Sequence, residues 1–114
     1  MTELIAFCEC QVTNPSGEKT RIKIGVGSPS QEKTGEYGCE VTLPDDSKSR
    51  RIFGEDSLQA ILLALNLLEQ RIDDLVSKNW KFDYEDDGET GTIPFDAYFK
   101  SQAVHAKFEA IGEK

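Results

Sequence analysis

The residue types that could do chemistry are few in this 114-residue chain: three cysteines, one histidine and twenty-one carboxylates. Nucleophilic catalysis needs a base beside the nucleophile. The base would have to be His105, brought against Cys8, Cys10 or Cys39 by the fold. The same four residues are the candidate zinc donors. Cys8 and Cys10 are separated by one residue, which in a strand puts their side chains about 7 Å apart, too far for two ligands about 2.3 Å from one ion. The run Asp83-x-Glu85-x-Asp87-Gly88 imitates the start of a calcium loop, but the twelfth position, where a bidentate glutamate is required, is Pro94. The pairs Asp45/Asp46, Asp73/Asp74 and Asp86/Asp87 offer adjacent acids. Acid–base work needs one of them buried, and all three pairs fall in turns or on the polar side of a helical pattern. Gly25-Val26-Gly27 is followed by Ser-Pro-Ser and not by a helix, so it is no phosphate loop. No catalytic residue, metal or cofactor is expected.

These residues must be positioned by elements that the patterning makes legible. Leu4, Ala6, Cys8, Cys10 and Val12 alternate over a strand at 3–13, and the extra apolar Ile5 and Phe7 suit a central or partly covered position. Asn14-Pro15-Ser16-Gly17 is a turn, with Pro15 presetting φ and Gly17 accepting a positive one. A second strand spans 20–27, with Ile22, Ile24 and Val26 inward and Gly25, outward, weakening it or marking a bulge. Residues 28–35 read as a polar loop. Tyr37, Cys39, Val41 and Leu43 alternate over a third strand at 36–43, and residues 50–53 form a fourth strand or a connector. Hairpin-length loops between them favour an antiparallel meander.

At residue 57 the period changes. Leu58, Ile61, Leu62, Leu65, Leu68, Ile72, Leu75 and Val76 follow helical spacing over 57–78, and this stripe is expected to face the core. Truncating Leu62 or Leu65 to alanine should then cost roughly 2–5 kcal/mol. Asp56 is the expected N-cap, Gln59 closes a capping box, Gly54 gives a flexible approach and Asn79 is the C-cap. Trp80, Phe82 and Tyr84 alternate in a further strand that runs into the acidic turn 85–89, and residues 90–94 return. Tyr98, Phe99, Gln102, Ala103, Ala106 and Ala110 share a face of a second helix at 96–111, widened by Val104, Phe108 and Ile111. The fold class is therefore α+β. One domain spans 1–114, an antiparallel sheet of four to five strands packed on one long helix plus a C-terminal helix.

Composition bounds the partners. The formal charge is −8. Residues 54–99 alone carry that excess, with eleven acids against three bases. Such a field repels phosphates and attracts basic surfaces. The basic group Lys48, Arg50 and Arg51 is offset by Asp45 and Asp46, so nucleic acid is not an expected ligand. No apolar run reaches the ~20 residues that cross a bilayer. The first ten residues carry Glu3 and Glu9 and lack a basic leader. Free thiols at an odd count agree with a cytoplasmic location.

The stretch from Arg50 to Leu65, with its Phe53-Gly54-x-Asp56-Ser57-Leu58-Gln59-Ala60 core, resembles a family of small bacterial proteins classed as a domain of unknown function. Residues 21–25 and Tyr37-Gly38-Cys39 fit the same pattern. The likeness covers about residues 3–85, with the tail from Asp86 departing from it. The resemblance brings no catalytic residues. By size, build and charge such domains are similar to immunity proteins that neutralise toxins used between bacteria. The expectation is a non-enzymatic binding protein that docks an acidic surface on a basic partner, a toxin domain. Asp83, Glu85, Asp86, Asp87 and Glu89 are the first contacts and Asp73 and Asp74 the second, in a monomer or homodimer. The alternative is a small-molecule-binding domain or small enzyme whose pocket between helix and sheet is lined by Trp80, Phe82, Tyr84 and Tyr98.

Overall fold

The computed structural model describes residues 3–86 and 88–93. Seven strands and one helix follow in the order β1 (Leu4–Thr13), β2 (Lys19–Gly27), β3 (Ser30–Gln31), β4 (Tyr37–Leu43), β5 (Asp46–Gly54), α1 (Ser57–Ser77), β6 (Lys81–Asp86) and β7 (Glu89–Thr92). All pairings are antiparallel in one sheet. β4 is flanked by β5 on one edge and by β2 and β3 on the other. β1 follows β2, and β6 and β7 complete the far edge. The sheet is larger than the expected four to five strands. The polar loop 28–35 donates Ser30 and Gln31 as β3, prolonging β2 past Pro29, and residues 46–54 are a full strand and not a connector. The expected helix at 96–111 lies outside the described residues.

The backbone punctuation matches the local chemistry. Asn14 Oδ1 accepts the N–H groups of Ser16 and Glu18 at 3.0 Å each, and Gly17 closes the turn at φ 88°. β1 carries a bulge between Leu4 and Ala6, opposite the glycine end of β2. An added Cβ on Gly25 would lie 2.7 Å from Phe7 Cα, so this glycine lets the two strands close at the bulge. β1 is central, as its two-faced apolarity implies, but Ile5 and Phe7 on the outer side remain exposed, Phe7 beneath the Lys23 ammonium at 4.9 Å.

At the start of α1, Asp56 Oδ1 accepts the Gln59 N–H at 2.7 Å. Gln59 Oε1 in turn accepts the Glu55 N–H at 2.6 Å, so the reciprocal cap is set one residue earlier than a standard box. At the other end the cap is Lys78 and not Asn79, which takes the following left-handed position at φ 70°. Trp80 N–H donates to Leu75 O and Asn79 N–H to Val76 O, the two bonds of a Schellman closure.

α1 lies over β4 and β5 and reaches β2. The residues it buries are Ala60, Ala64, Leu68, Ile72 and Leu75, against Val26, Cys39, Val41 and Leu43 of the sheet. This corrects the expected stripe: Leu58, Leu62 and Val76 are exposed, while Ile61 and Leu65 are half-buried at the margin. Small side chains in the first two turns, Ala60 and Ala64, let the helix backbone approach the sheet. Gly54 has the same cause. Its φ is not left-handed, and an added Cβ would sit 2.6 Å from Ala60 N, so the glycine makes room for the helix and is not a hinge.

Candidate functional site

The β6–β7 hairpin carries the first set of expected contacts. Asp86 is registered against Glu89, which leaves a two-residue connection with Gly88 at φ 83°. Alternation sends Phe82 inward, where it is buried beside Val12 of β1, and sends Asp83 and Glu85 to the outer side of the sheet. Asp83 is half-buried and registered against Gln11; Glu85 and Glu89 are exposed. Asp87 lies outside the described residues.

Glu85 does not stand alone on that face. Arg21 of β2 reaches Glu9 of β1 at 2.8 Å and Glu85 at 3.7 Å. The Arg21 hydrogen bond and charge hold the Glu9 carboxyl below its ordinary range, and Glu9 raises the guanidinium in return. The result is an outer row of Glu9, Glu85 and Asp83 around one arginine. The depression between them, bounded by Cys10, Gln11 and Tyr84, has a volume of about 20 Å³. That is room for one water and no substrate.

Asp73 and Asp74 are not part of this surface. They project from the exposed side of α1, on the opposite layer from the outer face of β6, and Asp74 pairs with Lys78 at 3.0 Å. The seven expected contacts therefore divide into a hairpin group and a helix pair.

Several other described charges form local pairs. Arg71 bonds Asp45 through both carboxylate oxygens at 2.8 and 3.0 Å. Asp46 accepts the Lys48 N–H and pairs with Arg50 at 3.1 Å, which lowers its pKa, the backbone bond most of all. Arg51, expected only as one of a basic group offset by Asp45 and Asp46, is instead a hub on the outer face, paired with other acids. It bonds Glu32 at 2.6 Å, Glu40 at 3.1 Å and Ser30 Oγ at 2.8 Å, and stacks over Phe53 at 5.9 Å. Its signal was its alternation with Phe53 opposite Gly38, whose missing side chain leaves space for the guanidinium.

The other chemical candidates are dispersed. Cys8 and Cys10 face the inner side of β1, and Cys39 is buried in β4 with its Sγ donating to Gly27 O at 3.3 Å. Burial pushes the Cys10 thiol up to about 12 and raises that of Cys39. Among the described residues no group of three or more histidines, cysteines and acids is placed to hold a metal ion. Of the aromatics expected to line one pocket, Phe82 is core, Tyr84 is exposed and packs over Gly91, and Tyr98 lies outside the described residues. Trp80 lines a separate shallow groove of about 250 Å³ with Val12, Ile22, Pro44 and Asp45. Among the described residues no helix is long and apolar enough to cross a membrane.

A family model matches residues 9–93, nearly the whole described chain. The chain belongs to the DUF6968 family, a domain of unknown function. The matched region runs from β1 to Ile93, so the DUF6968 pattern includes the β6–β7 hairpin and extends beyond Asp86, where the sequence pattern was expected to depart. The matched region also covers the Gly54–Ala60 contact and the Asp56 cap. No curated protein and no solved structure matches the chain.

Proposed function

We propose that this chain is a non-enzymatic binding protein of the immunity type, which neutralises a basic toxin domain by docking the outer face of β1, β6 and β7 on it. The observation that carries the reading is the row Glu9, Asp83 and Glu85; Glu89, registered against Asp86, falls on the other face of the hairpin. These carboxylates stand on a rigid sheet, with Arg21 as the cation bonded to Glu9 and Glu85. Acids fixed on strands lose little freedom when a cationic surface covers them, which favours association. Asp73 and Asp74, on the other layer, form a separate and weaker patch in this reading. The described carboxylates are all at least partly exposed, as suits contact and not acid–base work.

The test is capture of the partner by the wild-type chain and by a double Asp83→Lys, Glu85→Lys variant. Wild type should hold its partner at about 0.1 M salt, where screening extends about 10 Å, and release it near 1 M, where it is about 3 Å. The variant should lose binding chiefly through a slower association rate. Equal capture by the folded variant, or retention unaffected by salt, rejects the acidic face as the docking site.

A further inference from the structure

The outer face of the sheet, the side away from α1, carries charges of both signs in separate columns. The register sets Lys23 against Glu9 and Arg21 against Gln11, and Gln11 in turn against Asp83. Glu85, two residues on from Asp83, lies level with Glu9 and Lys23. Lys23 and Arg21 therefore stand on one side of β1, and Asp83 and Glu85 on the other. Arg21 is engaged by Glu9 and Glu85, whereas Lys23 and Asp83 form no ion pair among the described residues. Further along β1 the same face turns apolar. Phe7 is 52% and Ile5 57% exposed. The bulge adds to this cluster: it sets Leu4 against Gly27, two residues from Gly25, so Leu4 joins Phe7 on the outer side. An exposed apolar patch rimmed by charge marks an interaction surface.

We infer that this face packs on the same face of a second copy, in a two-fold dimer whose axis runs along β1. The charge pattern selects that occupant. Such an axis lays β2 of each copy over β6 of the other, at the spacing of about 10 Å that packed sheets adopt. Lys23 then faces Glu85 of the partner subunit, and Arg21 faces Asp83 of the partner subunit. Each pair is made twice, because a two-fold interface is self-complementary. A copy of the chain thus supplies the opposite sign over both columns at once. Phe7, Ile5 and Leu4 meet their own counterparts and form the apolar centre of the contact. Glu9, on the axis, is neutralised by its own Arg21 at 2.8 Å. Lys19 and Lys81, both level with Thr13, are like charges across the axis. They lie about 20 Å along β1 from Phe7, where sheets crossing at about 30° have splayed apart. The inference goes beyond the docking reading, and it has a consequence for it. The dimer covers Asp83 and Glu85, so a second copy and a toxin domain exclude each other.

The test uses the full chain alone, with no toxin present, so its outcome is independent of the docking reading. Sedimentation velocity over roughly 10 µM to 1 mM should show a reversible monomer–dimer equilibrium. Phe7→Asp should leave only monomer, and since Phe7 is exposed this variant can fold. Lys23→Glu and Glu85→Lys should each weaken the dimer about tenfold, because one substitution breaks two symmetric pairs. The double variant Lys23→Glu with Glu85→Lys should recover wild-type association to within about threefold, which independent effects of the two charges would not produce. Monomer across the whole range overturns the inference. So does a double variant as weak as the two singles combined. A dimer that Leu62→Asp abolishes and Phe7→Asp leaves intact overturns it as well, since the exposed leucines of α1 would then be the interface.

Discussion

Three glycines on or beside the sheet answer the same question differently. A methyl group on Gly54 would press on the backbone of Ala60, and one on Gly25 on the backbone of Phe7. Backbone cannot step aside without moving a strand or a helix. A methyl group on Gly38 would meet the guanidinium of Arg51, the far end of a flexible side chain. Gly54→Ala and Gly25→Ala should therefore cost about 1–3 kcal/mol each by overpacking, and Gly38→Ala clearly less, measured by denaturant unfolding. A loss from Gly38→Ala as large as from Gly54→Ala would mean that the Arg51 clasp on Glu32 and Glu40 is rigid. None of this can be read from the residue letters. A glycine before a helix cap looks like a flexible turn in sequence, and only the packed helix reveals it as a contact.

At the level of elements, what was legible was local. Alternation at 3–13, 20–27 and 36–43, the Asp56–Gln59 cap and the stop at Asn79 follow from neighbours within a few residues, and the strands and helix formed there. The face of α1 was not legible. Its first half is apolar nearly all round, so hydrophobicity favours the bulky Leu58–Leu62–Leu65 seam while close approach to the sheet favours the small Ala60–Ala64 line. The short β3 was hidden for a related reason, because two polar residues in a loop pair only when β4 is already beside them. The observed face gives a direct prediction. Leu68→Ala and Ile72→Ala should cost about 2–5 kcal/mol each. Leu63→Ala, on the exposed side of α1, should stay within about 0.5 kcal/mol. Thermal unfolding separates these outcomes, and equal costs at Leu63 and Ile72 would show the helix rotated from the face described.

For the molecule as a whole, acid stability rests on surface pairs and not on a buried network. Glu9 and Asp46 both have carboxyls lowered in the folded state from ordinary values of 4.5 and 3.8. A lowered carboxyl stabilises the fold above its unfolded value and ceases to do so as pH falls through its folded value. The thermal midpoint should accordingly be level above pH 5 and decline below about 4.5, and Arg21→Gln should flatten the part that belongs to Glu9. A midpoint unchanged down to pH 3 would show that neither pair holds in solution. The partition of the acids between hairpin and helix belongs to this scale as well. The charge excess of residues 54–99 was plain in the sequence, but their division between two layers depends on α1 crossing the sheet.

The docking of β6 beside β1 has a temporal side. During synthesis the partner that closes β1 on that edge is made some seventy residues after β1 itself, following the whole meander and the helix. Until then the Gln11–Thr13 end of β1 carries unpaired amides and carbonyls on that edge, the arrangement most prone to join another copy. Pairing over so long a loop is slow. Conditions that delay the last hairpin, such as truncation before residue 81, should drive this chain into aggregates even though its first five strands are intact.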